Sequence, residues 1–214
     1  MVDGKLDLTT FPPFMHRLVK YWYAWQEIYL RRQGRSPGDA QREPSGRESQ
    51  EQVFWGRRPP EMTSSEELGF IDDGDVSYYL TWKDGDFFID SEERGSRHTY
   101  WMFRNYEDAE KYLAFLISQM AHTGKYSNSP SFRWYREGLN PRVSLSKPDP
   151  ANYPGRVSMT VDDEPSDRGW MPEHDAIAAS RVIVLSFEEL DYMLRQGVPS
   201  DWFTLNIRSA RQRA

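Results

Sequence analysis

The side chains able to break bonds or hold ions are few in this 214-residue sequence and poorly arranged for either task. Its four histidines, His16, His98, His122 and His174, stand far apart. None completes a His-x-x-x-His pair or a His-Glu-x-x-His arrangement, the spacings that set two imidazoles on one helix face. There is no cysteine, which removes thiolate nucleophiles, thiolate-held metals and disulfides. The densest set of oxygen ligands runs through Asp162, Asp163, Glu164, Asp167, Glu173, His174 and Asp175. A hard cation takes such ligands, but their order is not that of a calcium loop and Pro165 interrupts it, so the segment reads as a solvated acidic loop. Ser180 and Ser186 lie near His174 and Asp175 in sequence, which implies no hydrogen-bonding geometry, and Ser186 is better used as a helix cap. Glu92 and Glu93 are neighbours on an expected strand and point to opposite faces, unlike a glycosidase pair facing across a cleft. Gly69, Gly74 and Gly85 form no phosphate-cradling loop. No catalytic residue, metal or cofactor is expected, and an enzyme would need a concave pocket at His98 or His174.

Charge points toward a macromolecular partner. The formal net charge is -6. Seven arginines face four acidic residues between Arg31 and Arg58, whereas from Glu61 to Glu110 fourteen acidic side chains face five basic ones, counting His98. A mainly acidic body disfavours a nucleic-acid backbone, whose binding draws on cationic side chains that displace counterions. The alternative, a nucleic-acid-associated module, would rest on the Arg31–Arg58 segment and the basic tail. Arg94, Arg97, His98, Trp101 and Arg104 form a second basic and aromatic group. On a regular strand Arg97 and Trp101 share one face and His98 and Arg104 the other, and ordinary cross-strand pairs account for them. No stretch approaches the roughly 20 apolar residues of a bilayer span, and Met1 to Lys5 lead into no apolar export core, so a cytoplasmic protein is expected.

The fold class that would position these groups is α+β, an antiparallel sheet with packed helices. Phe14, Leu18, Trp22, Trp25 and Ile28 or Tyr29 recur at helical spacing behind Pro12 and Pro13, so residues 14–33 read as a helix and 1–33 as an N-terminal unit. Residues 34–60 are dominated by Gly, Pro, Ser and charged types and read as a linker, with Val53 to Trp55 as an anchor at its far end. Residues 61–126 hold the first sheet-helix unit. Val76–Trp82 and Asp86–Asp90 flank a Lys83-Asp84-Gly85 turn, His98–Phe103 follows the Arg94-Gly95 turn, and Asn105 caps a helix whose buried face is Ala109, Leu113, Leu116, Ile117 and Met120. Residues 127–214 hold the second unit, one body with the first. There, Arg142–Ser146, Arg156–Val161 and Arg181–Leu185 read as strands, Ser186 and Glu189 as a capping box, and Trp202 to Ile207 as a short returning strand. Thr123–Pro130 and Asp162–Asp175 read as loops. The cap, aromatic and acidic pair of Asn105–Leu113 recur in Ser186–Leu194, which either marks a duplicated strand-strand-strand-helix unit or reflects generic capping chemistry.

Two surfaces are candidates for partner binding. Tyr21, Trp22 and Tyr23 span about 200° of helix circumference, more than one buried stripe covers. Either Trp22, Trp25 and Tyr29 face a partner, or the helix lies in a groove of its own sheet. Asp162, Asp163, Glu164 and Trp170 form the second, carboxylates around one ring suited to a basic protein.

The run from Val76 to Leu116, with its Asp-Gly and Arg-Gly turns, the aromatic strand ending at Phe103 and then Asp108-Ala109-Glu110-Lys111-Tyr112-Leu113, resembles small actinobacterial immunity proteins that neutralise polymorphic toxins, including NAD-hydrolysing ones. Phe103, Asp108, Ala109, Glu110, Tyr112 and Leu113 match that group's aromatic-x-x-x-x-Asp-Ala-Glu-x-Tyr-Leu phrase. The resemblance covers about forty residues and implies a cytoplasmic antitoxin that binds its toxin one-to-one without catalysis. The long N-terminal helix and the arginine-rich linker depart from the pattern.

Overall fold

Eight extended segments are assembled in the computed structural model into one antiparallel sheet. The structure describes residues 6–35, 58–71, 76–121, 129–148 and 153–203. Most of the expected linker, with Val53 to Trp55, lies outside the described residues, as do His122 and the chain beyond Phe203. The strands are β1 (Glu61–Ser64), β2 (Glu67–Phe70), β3 (Val76–Lys83), β4 (Asp86–Glu93), β5 (Ser96–Phe103), β6 (Val143–Ser146), β7 (Arg156–Val161) and β8 (Gly169–Pro172). Their order across the sheet is β1-β2-β3-β4-β5-β8-β7-β6. The helices are α1 (His16–Arg32), α2 (Tyr106–Ala121), α3 (Pro130–Glu137), α4 (Glu173–Ile183) and α5 (Phe187–Leu194).

The strand-strand-strand-helix unit recurs. β3, β4, β5 and α2 form one copy and β6, β7, β8 and α4 the other, and the third strand of each meets its counterpart antiparallel at the centre of the sheet. The second copy differs from its sequence reading. Its third strand is Gly169–Pro172, inside the expected acidic loop, while the expected strand Arg181–Leu185 supplies the last turn of α4 and the residues after it. The β-branched run Val182-Ile183-Val184 favours strand locally, but Ala176, Ala179, Ser180 and Ile183 fall on one buried helical face and α4 packs against α2 and β7. The matching cap at Ser186 opens an additional helix, with its capping box formed as expected. Trp202 ends a 3-10 turn, Ser200–Trp202, where a strand was expected.

Register sorts the sheet into two faces. Trp82, Phe87, Phe103, Gly169, Met159 and Leu145 align across six strands on the face that enters the core. Thr81, Phe88, Met102, Trp170, Ser158 and Ser146 align on the other. Tyr112 of α2 packs its ring 5.7 Å from Trp101 and 5.5 Å from Phe103, which sets α2 on the apolar face.

The halves join through a short seam, Met102 opposite Trp170 and Phe103 opposite Gly169. Gly169 has φ 139, and a Cβ there would lie 1.9 Å from the Met102 carbonyl oxygen, so only glycine lets the strands approach. Beside the seam, Arg168 clamps the fully buried Asp108 of α2 through two bonds of 2.7 and 3.0 Å. Lys111 stands 3.2 Å from the same carboxylate and donates to the carbonyls of Ile183 (2.8 Å) and Leu185 (2.9 Å) at the end of α4. Glu110, also buried, takes a forked bond from Arg17 of α1.

Asp108→Ala leaves Lys111 and Arg168 only the longer contacts to Glu107 (3.6 Å) and Glu164 (3.9 Å) and is expected to cost about 3 kcal/mol in urea unfolding. Arg104→Ala, whose partners Asp86 and Asp167 are partly exposed, should cost no more than about 1 kcal/mol. Gly169→Ala is expected to abolish the cooperative melting transition seen by circular dichroism.

Candidate functional site

The candidate rings of the aromatic helix lie in the core and not on a surface. Trp22 and Trp25 are fully buried and Tyr29 nearly so. The excess rings that α2 does not cover are covered from the far end of the chain: Phe187 of α5 lies 5.5 Å from Tyr21, and Phe203 lies 5.8 Å from Trp25. Each such side chain withdrawn from water contributes about 1.5–3 kcal/mol, which makes α1 part of the core.

The acidic segment is divided among several partners. Asp162 and Asp163, both at positive φ, form the exposed turn after β7, and Asp162 takes a forked bond from Arg142 that holds its carboxyl below its ordinary pKa. Glu164 approaches Arg168 at 3.9 Å, Asp167 pairs with Arg104 at 3.2 Å, and Asp175, in the first turn of α4, accepts from the Trp101 indole N–H at 2.9 Å. Among the described residues no three His, Cys, Asp or Glu side chains are placed to hold a metal ion. Ser180 donates to the Ile177 carbonyl and accepts from the Asn140 N–H, while Ser186 caps α5, so neither is set as a nucleophile. No helix among the described residues is long and apolar enough to cross a membrane.

Trp170 has a different setting, on β8 in the middle of the polar face. Arg156 of β7 reaches over β8 to donate to the Thr99 carbonyl at 3.0 Å, and its guanidinium carbon lies 5.5 Å from the Tyr100 ring centre and 5.6 Å from that of Trp170. Tyr153 packs 5.3 Å from Trp170. Tyr100 and Tyr153 remain 36% and 40% exposed. Among the described residues Arg156 pairs with no carboxylate. Three rings around an arginine, spread across the seam, have the composition of a protein-interface centre.

A bulge in β5, which leaves no period-two trace in the sequence, puts Arg97 on the same face as Tyr100. Ile89 faces Trp101 while Asp90 faces Thr99, so Tyr100 is the extra residue and Trp101 turns into the core, opposite in direction to Arg97. Arg97 therefore belongs to the polar face, where it donates to Glu67 (2.5 Å) and Asp90 (2.8 Å) and lies 4.0 Å over the Tyr79 ring. Tyr79 donates to Glu92 at 2.9 Å. The face is thus a fixed charge network beside an aromatic and arginine patch.

No known protein family and no curated protein matches the chain. A solved structure, Rv3902c from M. tuberculosis, shares 16% identity with it and superposes with a TM-score of 0.49 over 65% of this chain and 80% of that one.

Partial burial opposes the Glu67 carboxylate, but bonds from Arg97, Thr63 and Thr81 outweigh it and hold its pKa below the ordinary 4.5. Its contribution is therefore present above about pH 4.5 and lost as pH falls through the lower folded value. Glu67→Gln should remove about 0.5–1 kcal/mol from that acid limb, solvent screening keeping the figure small, and leave the slope between about pH 6 and 8 unchanged in urea titrations.

Proposed function

We propose that the chain is a cytoplasmic, non-catalytic protein-binding protein, an immunity protein that inhibits a cognate toxin domain by direct complex formation. The observation that carries this reading is the patch of Tyr100, Tyr153, Arg156 and Trp170 on the polar face. Exposed rings packed about an arginine supply large contact area at low entropic cost, and interface energy concentrates in such residues. The rigidity of the sheet beneath them fixes their spacing before any partner arrives. The resemblance carried by Phe103, Asp108, Ala109, Glu110, Tyr112 and Leu113 points to the same class. The net charge of -6 favours a partner with basic side chains and disfavours a phosphate backbone.

The test is co-expression with the product of the adjacent gene, followed by calorimetry. A one-to-one complex is expected, with Trp170→Ala and Arg156→Ala each weakening it by about thirtyfold or more while the melting temperature of the free protein moves little. Absence of a complex, or a complex indifferent to both substitutions, would sink this reading.

A further inference from the structure

A second feature lies on the opposite side of the sheet, among the helices. α2, α3 and α4 border a cleft of about 300 Å³ lined by Tyr112, Phe115, Tyr135, Ser131, His174 and Asp175. We infer that this cleft is a socket for a guanidinium, the side chain of an arginine supplied by the protein partner. The identity of the donor rests on the protein-binding reading; the socket itself does not.

The argument begins with the Asp175 carboxylate. It sits in the first turn of α4, where the helix end favours negative charge, and its side chain keeps 23% of its surface open. The Trp101 indole N–H donates to Oδ2 at 2.9 Å, which fixes one oxygen. Among the described residues Oδ1 has only the His174 imidazole, 3.4 Å away and itself largely in solvent. Burial outweighs the fields of His174 and Arg156 and the indole bond, and keeps the carboxyl above its ordinary pKa. The site therefore carries a desolvation cost that its own residues do not offset, and an entering cation would offset it.

The walls specify which cation. Tyr112 and Phe115 pack 6.0 Å apart at the base, and Tyr135 stands 60% exposed at the rim. Ring faces attract cations, and a planar guanidinium stacks on them while its N–H fork meets a carboxylate. An ammonium, compact and strongly hydrated, uses these walls less well. Ser131 supplies a further hydroxyl for the outward N–H groups. Nothing here calls for bond breaking: the serine and histidine serve as hydrogen-bonding and electrostatic neighbours of the bound cation.

Ethylguanidinium chloride is the probe, titrated into the full chain at constant ionic strength with the Trp101 indole N–H resonance as reporter. A saturable shift with a Kd of about 1–10 mM is expected, weakened about tenfold in Asp175→Asn and severalfold in Tyr135→Ala, both with otherwise native spectra. An equal shift with uncharged ethylurea, a response that never saturates, or an unchanged titration in Asp175→Asn would overturn the socket. In the toxin complex, Asp175→Asn should reduce affinity about tenfold or more. If it leaves affinity unchanged while abolishing ethylguanidinium binding, the partner arginine is overturned as the occupant, and the patch around Trp170 stands or falls separately.

Discussion

Asp108 is a carboxylate with no access to water, and its burial is tolerable only because Arg168, Lys111 and the Asn105 side chain meet it from three directions. Arg168 belongs to the hairpin between β7 and β8, so the clamp ties the helix of one repeated unit to the strands of the other. The sheet alone would bind the halves weakly, because β5 and β8 share only two aligned pairs. Lys111 extends the clamp to the carbonyls ending α4, and Glu110 extends it to Arg17 of α1. One turn of α2 thus fixes the relative placement of the first helix, the central seam and α4. The open patch and the helical cleft both depend on that placement, since each draws residues from both units.

The same turn contains the phrase that linked the sequence to immunity proteins. Asp108, Ala109, Glu110, Lys111, Tyr112 and Leu113 are all buried, with the three charged residues paired and Ala109 and Leu113 in the core. Such a phrase reports a packing requirement, and it stands on the opposite side of the sheet from the patch around Trp170.

What could be read from sequence follows from the range of the interactions involved. The first unit was legible because its turns need positive φ at Asp84 and Gly85 and at Arg94 and Gly95, and because Asn105 caps α2 through Asp108. α3 was not recognised, although Ser129 and Pro130 mark its start by the same local chemistry. β1 and β2 offered too short an alternation to stand out. The strand assigned to Arg181–Leu185 failed because local preference yielded to helix packing, and the faces of Arg97 and Trp101 were misjudged because a bulge leaves no periodic trace. Trp170 was singled out for its ring, but its neighbours Tyr100, Tyr153 and Arg156 come together only through sheet order. The cover over Tyr21 and Trp25 likewise comes from residues more than 150 positions away.

That distance bears on how the protein comes to exist. α1 packs its rings against Phe187 and Phe203, which leave the ribosome more than 150 residues after it. Until those residues have been made, a stretch rich in tryptophan and tyrosine stays without its final cover. Vulnerability to aggregation is greatest in that interval, and a ribosome stalled before Phe187 would leave the helix exposed.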